Sequence, residues 1–529
     1  MTIHGYDAQA VRAAEAPALA AGRPLMRWAA QQVAATVREV LAEVGTSVRT
    51  AQVLVLVGGG NNGGDGLHAA ADLAQRGVAV TAVLAREQVH PGGLDRARAA
   101  GVRLLSVTTA GDLAGVHWQQ AARAAQVWVD ALAGIGVRGG LRGHTADLVA
   151  SLAELRTETD PAEPRDRTAR GVPALPTAPV VVAIDTPSGI SADTGRLDGP
   201  FLAADHTVTM GAAKASLLLP PAALHTGTVH VAGLGLEEAF TAQPPVVSRL
   251  RAEDVATDWP VPAVTDHKYT RGVLGVAAGS PHYPGAGVLT SGAAVATGCG
   301  MVRYLGADAV AERVLDHYPE VVTAVGRVQA LVLGPGVAGQ HETARLEQAL
   351  LTAIDTAPRE RPPAVVWDAG AFTLLPRMGW ALRATPSVLT PHAGELAALL
   401  GSYDQQVQRD EVEADPARWA IHAAELTGAV VLLKGPVTII AQPDGAVFSQ
   451  ADGSPWLATA GSGDVLAGIL GALSATSSAP LGRVAAAAAL VHGRAAQHAG
   501  GPLGAHHLLE AIPATVGEIL TGRASSREG

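Results

Sequence analysis

Three strand-like runs in the first half of the chain end in polar turns that carry amides and carboxylates. "AQVLVLV" leads into "GGGNNGGDG" (58–66), "QVWVD" ends on Asp130, and "VVVAID" ends on Asp185, followed by "TPSG" with Ser188. Gly58, Gly60 and Gly63 match the dinucleotide pattern G-x-G-x-x-G, in which glycines let a pyrophosphate lie on a helix N-terminus. Asp65 argues against that reading, because it would place a carboxylate beside the same phosphates. The strand after the helix also ends in "VLAR", giving Arg86 where an acidic ribose ligand is usual. Asn61, Asn62 and Asp65 instead offer oxygens that suit a hard cation or a sugar-like ligand, with a tight turn capped by Asn and Asp as the alternative. Asp130, Asp185 and Ser188 strengthen the ligand reading. Carboxylates gathered at adjacent strand ends repel unless a cation or hydrogen bonds compensate, and a bound cation is the economical answer.

The second half carries a different chemistry. "AGSGDVLAG" (460–468) puts glycines and a carboxylate at a helix start, where free N–H groups and the dipole stabilise phosphate charge. Asp464 there reads as the base that takes a hydroxyl proton during phosphoryl transfer, against the plainer option of a helix N-cap by Ser462 or Asp464. "LLKGPVTII" sets Lys434 at a strand end, suited to a nucleotide's phosphates or ribose, and "TPHAGE" sets His392 towards a crevice. Of 38 basic residues only Lys214, Lys268 and Lys434 are lysine, and all three lie in loop motifs. A compact charge on a flexible stem does what arginine does not, and Lys214 is open to contact with a ligand phosphate, to solvation or to helix capping.

Such residues need strands to hold them. Continuous aliphatic runs separated by alanine-rich helical stretches read as buried parallel strands with crossover helices, and ligands of such sheets bind beyond the carboxyl ends of the strands. At 529 residues the chain calls for at least two domains. The second half restarts with "GVLGVAAGS" after a polar, proline-rich stretch, so residues 1–240 form one domain, 241–265 a linker, 266–520 a second domain and 521–529 a disordered tail. The charged, proline-rich segment from Arg156 to Pro179 reads as a mobile surface loop. Net charge is −10 with no basic run, which excludes binding along a nucleic-acid backbone, and no apolar stretch is long enough to span a membrane. The single cysteine, Cys299, excludes an internal disulfide framework, so the chain is read as cytoplasmic.

The motifs resemble known families. "GGGNNGGDG", "VDALAGIGVRG" and "VVAIDTPSG", with the helix "LMRWAAQQVA", look like the N-terminal domain of NAD(P)H-hydrate epimerases. That resemblance implies a Rossmann-like three-layer α/β fold and potassium held by Asn62, Asp130 and Ser188. It also implies that the hydrated nicotinamide nucleotide is held by Asn61, Asn62, Gly63, Gly64 and Asp65, by the loop Gly134, Ile135, Gly136, Val137, Arg138, Gly139 and Gly140, and by Asp185, the candidate acid/base. "GGG" stands where "GPG" is usual, and Arg27-Trp28 where an acidic-basic pair is usual.

"HKYTRGVLGVAAGSPHYPGAGVL", "LGPG", "WDAGAF", "TPHAGE", "LLKGPVTII" and "TAGSGDVLAG" resemble the ribokinase-like family and, more closely, its NAD(P)H-hydrate dehydratases. By that resemblance Lys434, Gly435, Pro436, Val437, Thr438 and Gly463 meet ADP with Mg²⁺, and Ala286, Gly336, His392 and Asp464 surround the hydrate. "WDAGAF" departs from the family's acidic repeat at Asp368. The two resemblances together imply a homo-oligomeric repair enzyme for hydrated NADH and NADPH. A vitamin-precursor kinase fused to a nucleotide-binding regulatory module is the rival reading.

Overall fold

The computed structural model describes residues 2–136, 139–159 and 178–522. Contacts divide the chain between Val247 and Ser248, with the first residues joining the C-terminal unit. The stretch 241–265 is not bare linker, since it carries the strand Val247–Arg249 and the helix Ala252–Asp258.

In the N-terminal unit, helices α1 (Ala8–Ala20) and α2 (Leu25–Glu43) precede β1 (Gln52–Val57), α3 (Asn61–Gln75), β2 (Ala79–Leu84) and β3 (Arg103–Ser106). β4 (Val127–Ala131), β5 (Val180–Ile184), β6 (His206–Met210) and β7 (Thr228–Ala232) follow. All seven pair in parallel in the order β3-β2-β1-β4-β5-β6-β7. The apolar runs are continuous because both faces are covered. Val53, Val55 and Val57 of β1 pack with Val33, Val37 and Leu73 of the helices on one side. Leu54 and Leu56 pack with Trp118, Trp128 and Leu152 on the other, giving three layers. The helix before the segment 160–177 runs to Thr159, so Arg156 belongs to regular structure, where it pairs with Asp205.

The glycines of the opening motif have steric causes. A Cβ on Gly58 would lie 1.8 Å from Leu132 O, one on Gly63 2.1 Å from Gly58 O, and one on Gly66 2.5 Å from Ala131 Cβ. The loop and α3 are thus pressed against the strand ends.

The C-terminal unit holds β8 (Val273–Ala277), α4 (Pro284–Thr297), β9 (Met301–Tyr304), β10 (Ala330–Leu333), β11 (Ala364–Trp367) and β12 (Ser387–Leu389). Its further elements include α5 (Ala393–Gly401), β13 (Val430–Leu433), β14 (Thr438–Ala441), β15 (Val447–Gln450), α6 (Ser462–Thr476), α7 (Leu481–Ala499) and α8 (Ala505–Thr521). The order β9-β8-β10-β11-β12-β13 is parallel, and β14 and β15 then add in antiparallel fashion. Among the described residues no helix is long and apolar enough to cross a membrane.

α4 and α6 meet closely at Gly468, where a Cβ would stand 2.4 Å from Thr290 O and 2.7 Å from Ala293 Cβ. Backbone cannot yield as a flexible side chain can. Gly468→Val should therefore destabilise the C-terminal unit by about 1–3 kcal/mol, read from the denaturant midpoint of its unfolding.

Candidate active sites

In the N-terminal unit the sheet order turns outward at β1 and β4, so the loops after these strands flank a crevice. α3 begins at Asn61 with Gly60 as its N-cap and no side-chain cap, so Asn61, Asn62 and Asp65 are not spent on capping. Asn61 is exposed. Both polar atoms of the Asn62 amide are buried without a partner, and a Cβ on Gly134 would lie 3.2 Å from its Cγ.

Asp130 is fully buried at the end of β4. It accepts from Ser188 N at 2.7 Å, from Ser188 Oγ at 2.6 Å and from Leu132 N at 3.3 Å. Burial pushes its pKa up to about 6, against the opposing pull of the Ser188 hydrogen bonds.

Asp185 follows β5 with a φ of 68°. It accepts from Lys214 Nζ at 2.7 Å and from Met210 N at 3.0 Å. Lys214 is completely buried and donates also to Met210 O, so it is an internal counter-charge, neither solvated nor a helix cap. Asp65 lies inside α3, not at a strand end, and its Oδ1 is buried and unpartnered. Burial holds its pKa well above the usual carboxylate range, and the charges of Asp185 and Glu15 add to this. Glu15 of α1 is raised by burial too, with Lys214 opposing and Asp185 reinforcing the shift.

The strand-end carboxylates are therefore compensated mainly from within. Ser188 and Leu132 serve Asp130, and Lys214 serves Asp185, so hydrogen bonds and an internal ammonium, the alternative to a bound cation, supply much of the compensation. Among the described residues no group of three or more His, Cys, Asp or Glu could hold a metal. The buried side-chain atoms of Asn62 and Asp65 Oδ1 are, by contrast, without a partner.

Gly63 and Gly64 are buried beneath this crevice. The Ile135 carbonyl accepts from Arg12 of α1, while Gly136 and Gly139 are exposed. Gly140 lines a cavity of about 510 Å³ with Gly59, Arg86 and Thr145. Val137 and Arg138 lie outside the described residues. Glu15 carries no motif of its own and could not be found from the sequence, because only the tertiary packing of α1 brings it to Lys214 and Asp185.

In the C-terminal unit α6 starts on Gly461, whose φ of 89° turns the chain, with no side-chain cap. Ser462 Oγ instead donates to Leu457 O, and Asp464 is left free of capping. Burial pushes the Asp464 pKa up to about 7, with Asp368 raising it further and Lys434 opposing. Lys434 Nζ donates to Asp368 Oδ1 at 2.8 Å and stands 3.7 Å from Glu395 Oε2. Burial works against its charge, yet Asp368 and Glu395 outweigh that and raise its pKa. Thr390 Oγ1 fixes the same Asp368 oxygen at 2.8 Å.

A Cβ on Gly463 would stand 3.7 Å from Lys434 Nζ, so the two glycine-bearing loops meet. Gly435 and Pro436 form the exposed turn between β13 and β14, Val437 turns its side chain inward, and Thr438 begins β14. His392 caps α5, its Nδ1 accepting from Gly394 N and Glu395 N, and its backbone bridges to Lys434. Ala286 and Gly336 touch, since a Cβ on Gly336 would come 2.3 Å from that of Ala286. Thr290, one turn along α4 from Ala286, donates to Asp464 O. His492 is a further addition: its Nε2 lies 2.9 Å from Ser462 O, and burial pulls its pKa down to about 4, so it stays neutral beneath the start of α6.

These features define a class: a two-unit α/β enzyme, one unit with a polar crevice at a sheet's switch point and the other with a phosphoryl-transfer helix start. A family model described as NAD(P)H-hydrate dehydratase matches residues 274–514, and one described as YjeF-related protein N-terminus matches residues 22–216. The bifunctional NAD(P)H-hydrate repair enzyme Nnr of Mycobacterium tuberculosis is 42% identical over 497 residues, covering 91% of each chain. The enzyme of the same description from Escherichia coli is 31% identical, over 84% of this chain and 80% of that one. A Bacillus subtilis ADP/ATP-dependent NAD(P)H-hydrate dehydratase, co-crystallised with ATP/Mg2+, is 25% identical over 51% of this chain and 98% of its own, with a TM-score of 0.43. The chain belongs to the family of bifunctional NAD(P)H-hydrate repair enzymes. The rival vitamin-precursor kinase is not favoured, since full-length relatives share both halves under one description.

Asp464 should titrate near 7 when followed by NMR of carboxyl-labelled aspartate. Asp368→Asn removes a repelling charge and should bring that pKa down. Titration of Asp464 in the ordinary carboxylate range in the unaltered protein would contradict the burial argument.

Proposed function

We propose that the two units repair one damaged metabolite. Water added across the reduced nicotinamide ring gives R and S epimers, and the N-terminal unit interconverts them. The C-terminal unit dehydrates the S epimer back to NAD(P)H at the expense of ADP, giving AMP and phosphate. The observation that carries this reading is Asp464: an uncapped carboxylate with a pKa near 7, at the start of α6 beside Lys434. Such a group is half ionised at neutral pH and suits general-base work.

Asp464 takes the proton of the ring hydroxyl as its oxygen attacks the terminal phosphorus of ADP, and AMP departs. The ring nitrogen's lone pair then expels the phosphate, and loss of a proton from the neighbouring ring carbon restores the dihydropyridine. Free N–H groups at the start of α6, including that of Gly463, and the Lys434 ammonium stabilise the phosphate charge, with Gly435 to Thr438 along the nucleotide. Asp368 and Glu395 would supply oxygens of the kind that Mg²⁺ accompanying the nucleotide takes, and the ion would add positive charge against the same phosphates. Ala286, Gly336 and His392 frame the hydrate.

Epimer exchange breaks and remakes a bond at the carbon that carries both ring nitrogen and hydroxyl, so one proton is delivered and one removed. Asp65, whose proton affinity is raised by burial, and Asp185, clamped by Lys214, are opposed in this way. Potassium fits at Asn62, whose buried Oδ1 has no partner, with Asp130 and Ser188 as the further oxygens. When bound, it supplies a fixed positive charge to the crevice.

An epimer mixture of hydrated NADH with ADP and Mg²⁺ should regain its full reduced-nicotinamide absorbance. Asp464→Asn should slow recovery by about 10²–10⁴-fold while epimer exchange persists, and Asn62→Ala should make recovery stall at the S epimer's share. No recovery with either ADP or ATP would sink the dehydratase. A stall in the unaltered protein would sink the epimerase.

A further inference from the structure

We infer that the cavity beside the glycine-rich loop of the N-terminal unit seats the phosphate that distinguishes hydrated NADPH from hydrated NADH. Arg86, Arg142 and Thr145 read that phosphate, and the inference rests on the epimerase reading above. The cavity, of about 510 Å³, has two cationic side chains in its lining. Arg86 comes just past the carboxyl end of β2 and runs beside the glycine loop, its Cγ 3.5 Å from where a Cβ on Gly59 would be. Arg142 comes from the loop that leads into the helix His144–Thr159. Both are exposed, and among the described residues neither forms a hydrogen bond or ion pair. Asp198, whose backbone abuts Gly140, is already paired with Arg196.

A second observation points to a ligand. Thr145 is 4% exposed and lines the same cavity, yet its Oγ1 has no hydrogen-bond partner. A buried hydroxyl left unpaired is costly, and a phosphate oxygen in the cavity would satisfy it. Thr145 is the second residue of a 16-residue helix, so the free N–H groups of the first turn open at the same end. His144 Nε2 meets Val107 O at 2.7 Å and pins that helix start beside the end of β3.

Position says which phosphate. β2 lies next to β1 on the side of the sheet away from β4 and β5. Asp130, at the end of β4, and Asp185, just past β5, therefore stand across the switch from Arg86. In sheets of this design the residue ending the second strand faces the adenosine ribose. A carboxylate there selects a free 2′-hydroxyl, and an arginine accommodates a 2′-phosphate. Two guanidiniums match a dianionic monoester better than the singly charged phosphates of a pyrophosphate bridge.

The test uses the full chain without ADP or ATP, so that only epimer exchange runs, with epimers separated by chromatography. The unaltered protein should exchange hydrated NADPH with a kcat/KM about tenfold or more above that for hydrated NADH. Arg86→Ala and Arg142→Ala should each remove about tenfold of that preference, mainly through KM, and Thr145→Val a smaller part. Equal use of both hydrates by the unaltered protein would overturn the inference. So would variants that depress both hydrates alike, as expected if the arginines held the shared pyrophosphate. Exchange of neither hydrate would count against the epimerase instead, and calorimetry then decides. 2′-Phospho-ADP-ribose should bind more tightly than ADP-ribose, with the margin lost in Arg86→Ala/Arg142→Ala. The absence of any margin would overturn the inference.

Discussion

A lysine locked onto an aspartate at the end of a parallel strand recurs in both units, and each site depends on it. Lys214 meets Asp185 at 2.7 Å and Lys434 meets Asp368 at 2.8 Å. Each pair leaves one nearby carboxylate without a cation of its own, Asp65 in the first unit and Asp464 in the second. Burial then decides the state of that carboxylate, and in both it favours the proton. The neighbouring acid feels repulsion from the paired aspartate as well as desolvation. One compensated and one uncompensated carboxylate in a low-dielectric crevice are thereby driven apart in proton affinity.

The glycines do equally physical work. The tightest contacts of the opening motif are with backbone carbonyls and a core methyl group, so its glycines are required by packing before any ligand is considered. This closeness buries the Asn62 amide against Gly134 and leaves it unpaired. A polar ligand that restores those hydrogen bonds gains what folding left unspent.

The strands that carry the sites were legible because unbroken aliphatic runs have few other outcomes, and the loops after them were legible because glycine beside Asn or Asp at a strand end is rarely idle. Asn62, Asp130, Ser188 and Asp185 could be named one motif at a time, as could Asp464 and Lys434. What could not be read was pairing across the sequence. Lys214 and Asp185 are 29 residues apart, and Lys434 and Asp368 are 66 apart. Glu15, His492 and Thr145 carry no motif, and only packing brings them to their sites. The same limit explains why a cation looked the economical answer for the strand-end carboxylates, since the internal counter-charge was invisible. It also explains the linker, where a three-residue strand and a seven-residue helix are too short to show a period.

The central claim is that dehydration proceeds through phosphoryl transfer to the ring hydroxyl, with Asp464 taking its proton. It is tested most directly by preparing the hydrate with heavy oxygen in that hydroxyl and following the label through one turnover with ADP. The account predicts that the label leaves in the inorganic phosphate, one labelled oxygen for each AMP formed. Release of the label into solvent water, with unlabelled phosphate, would contradict it.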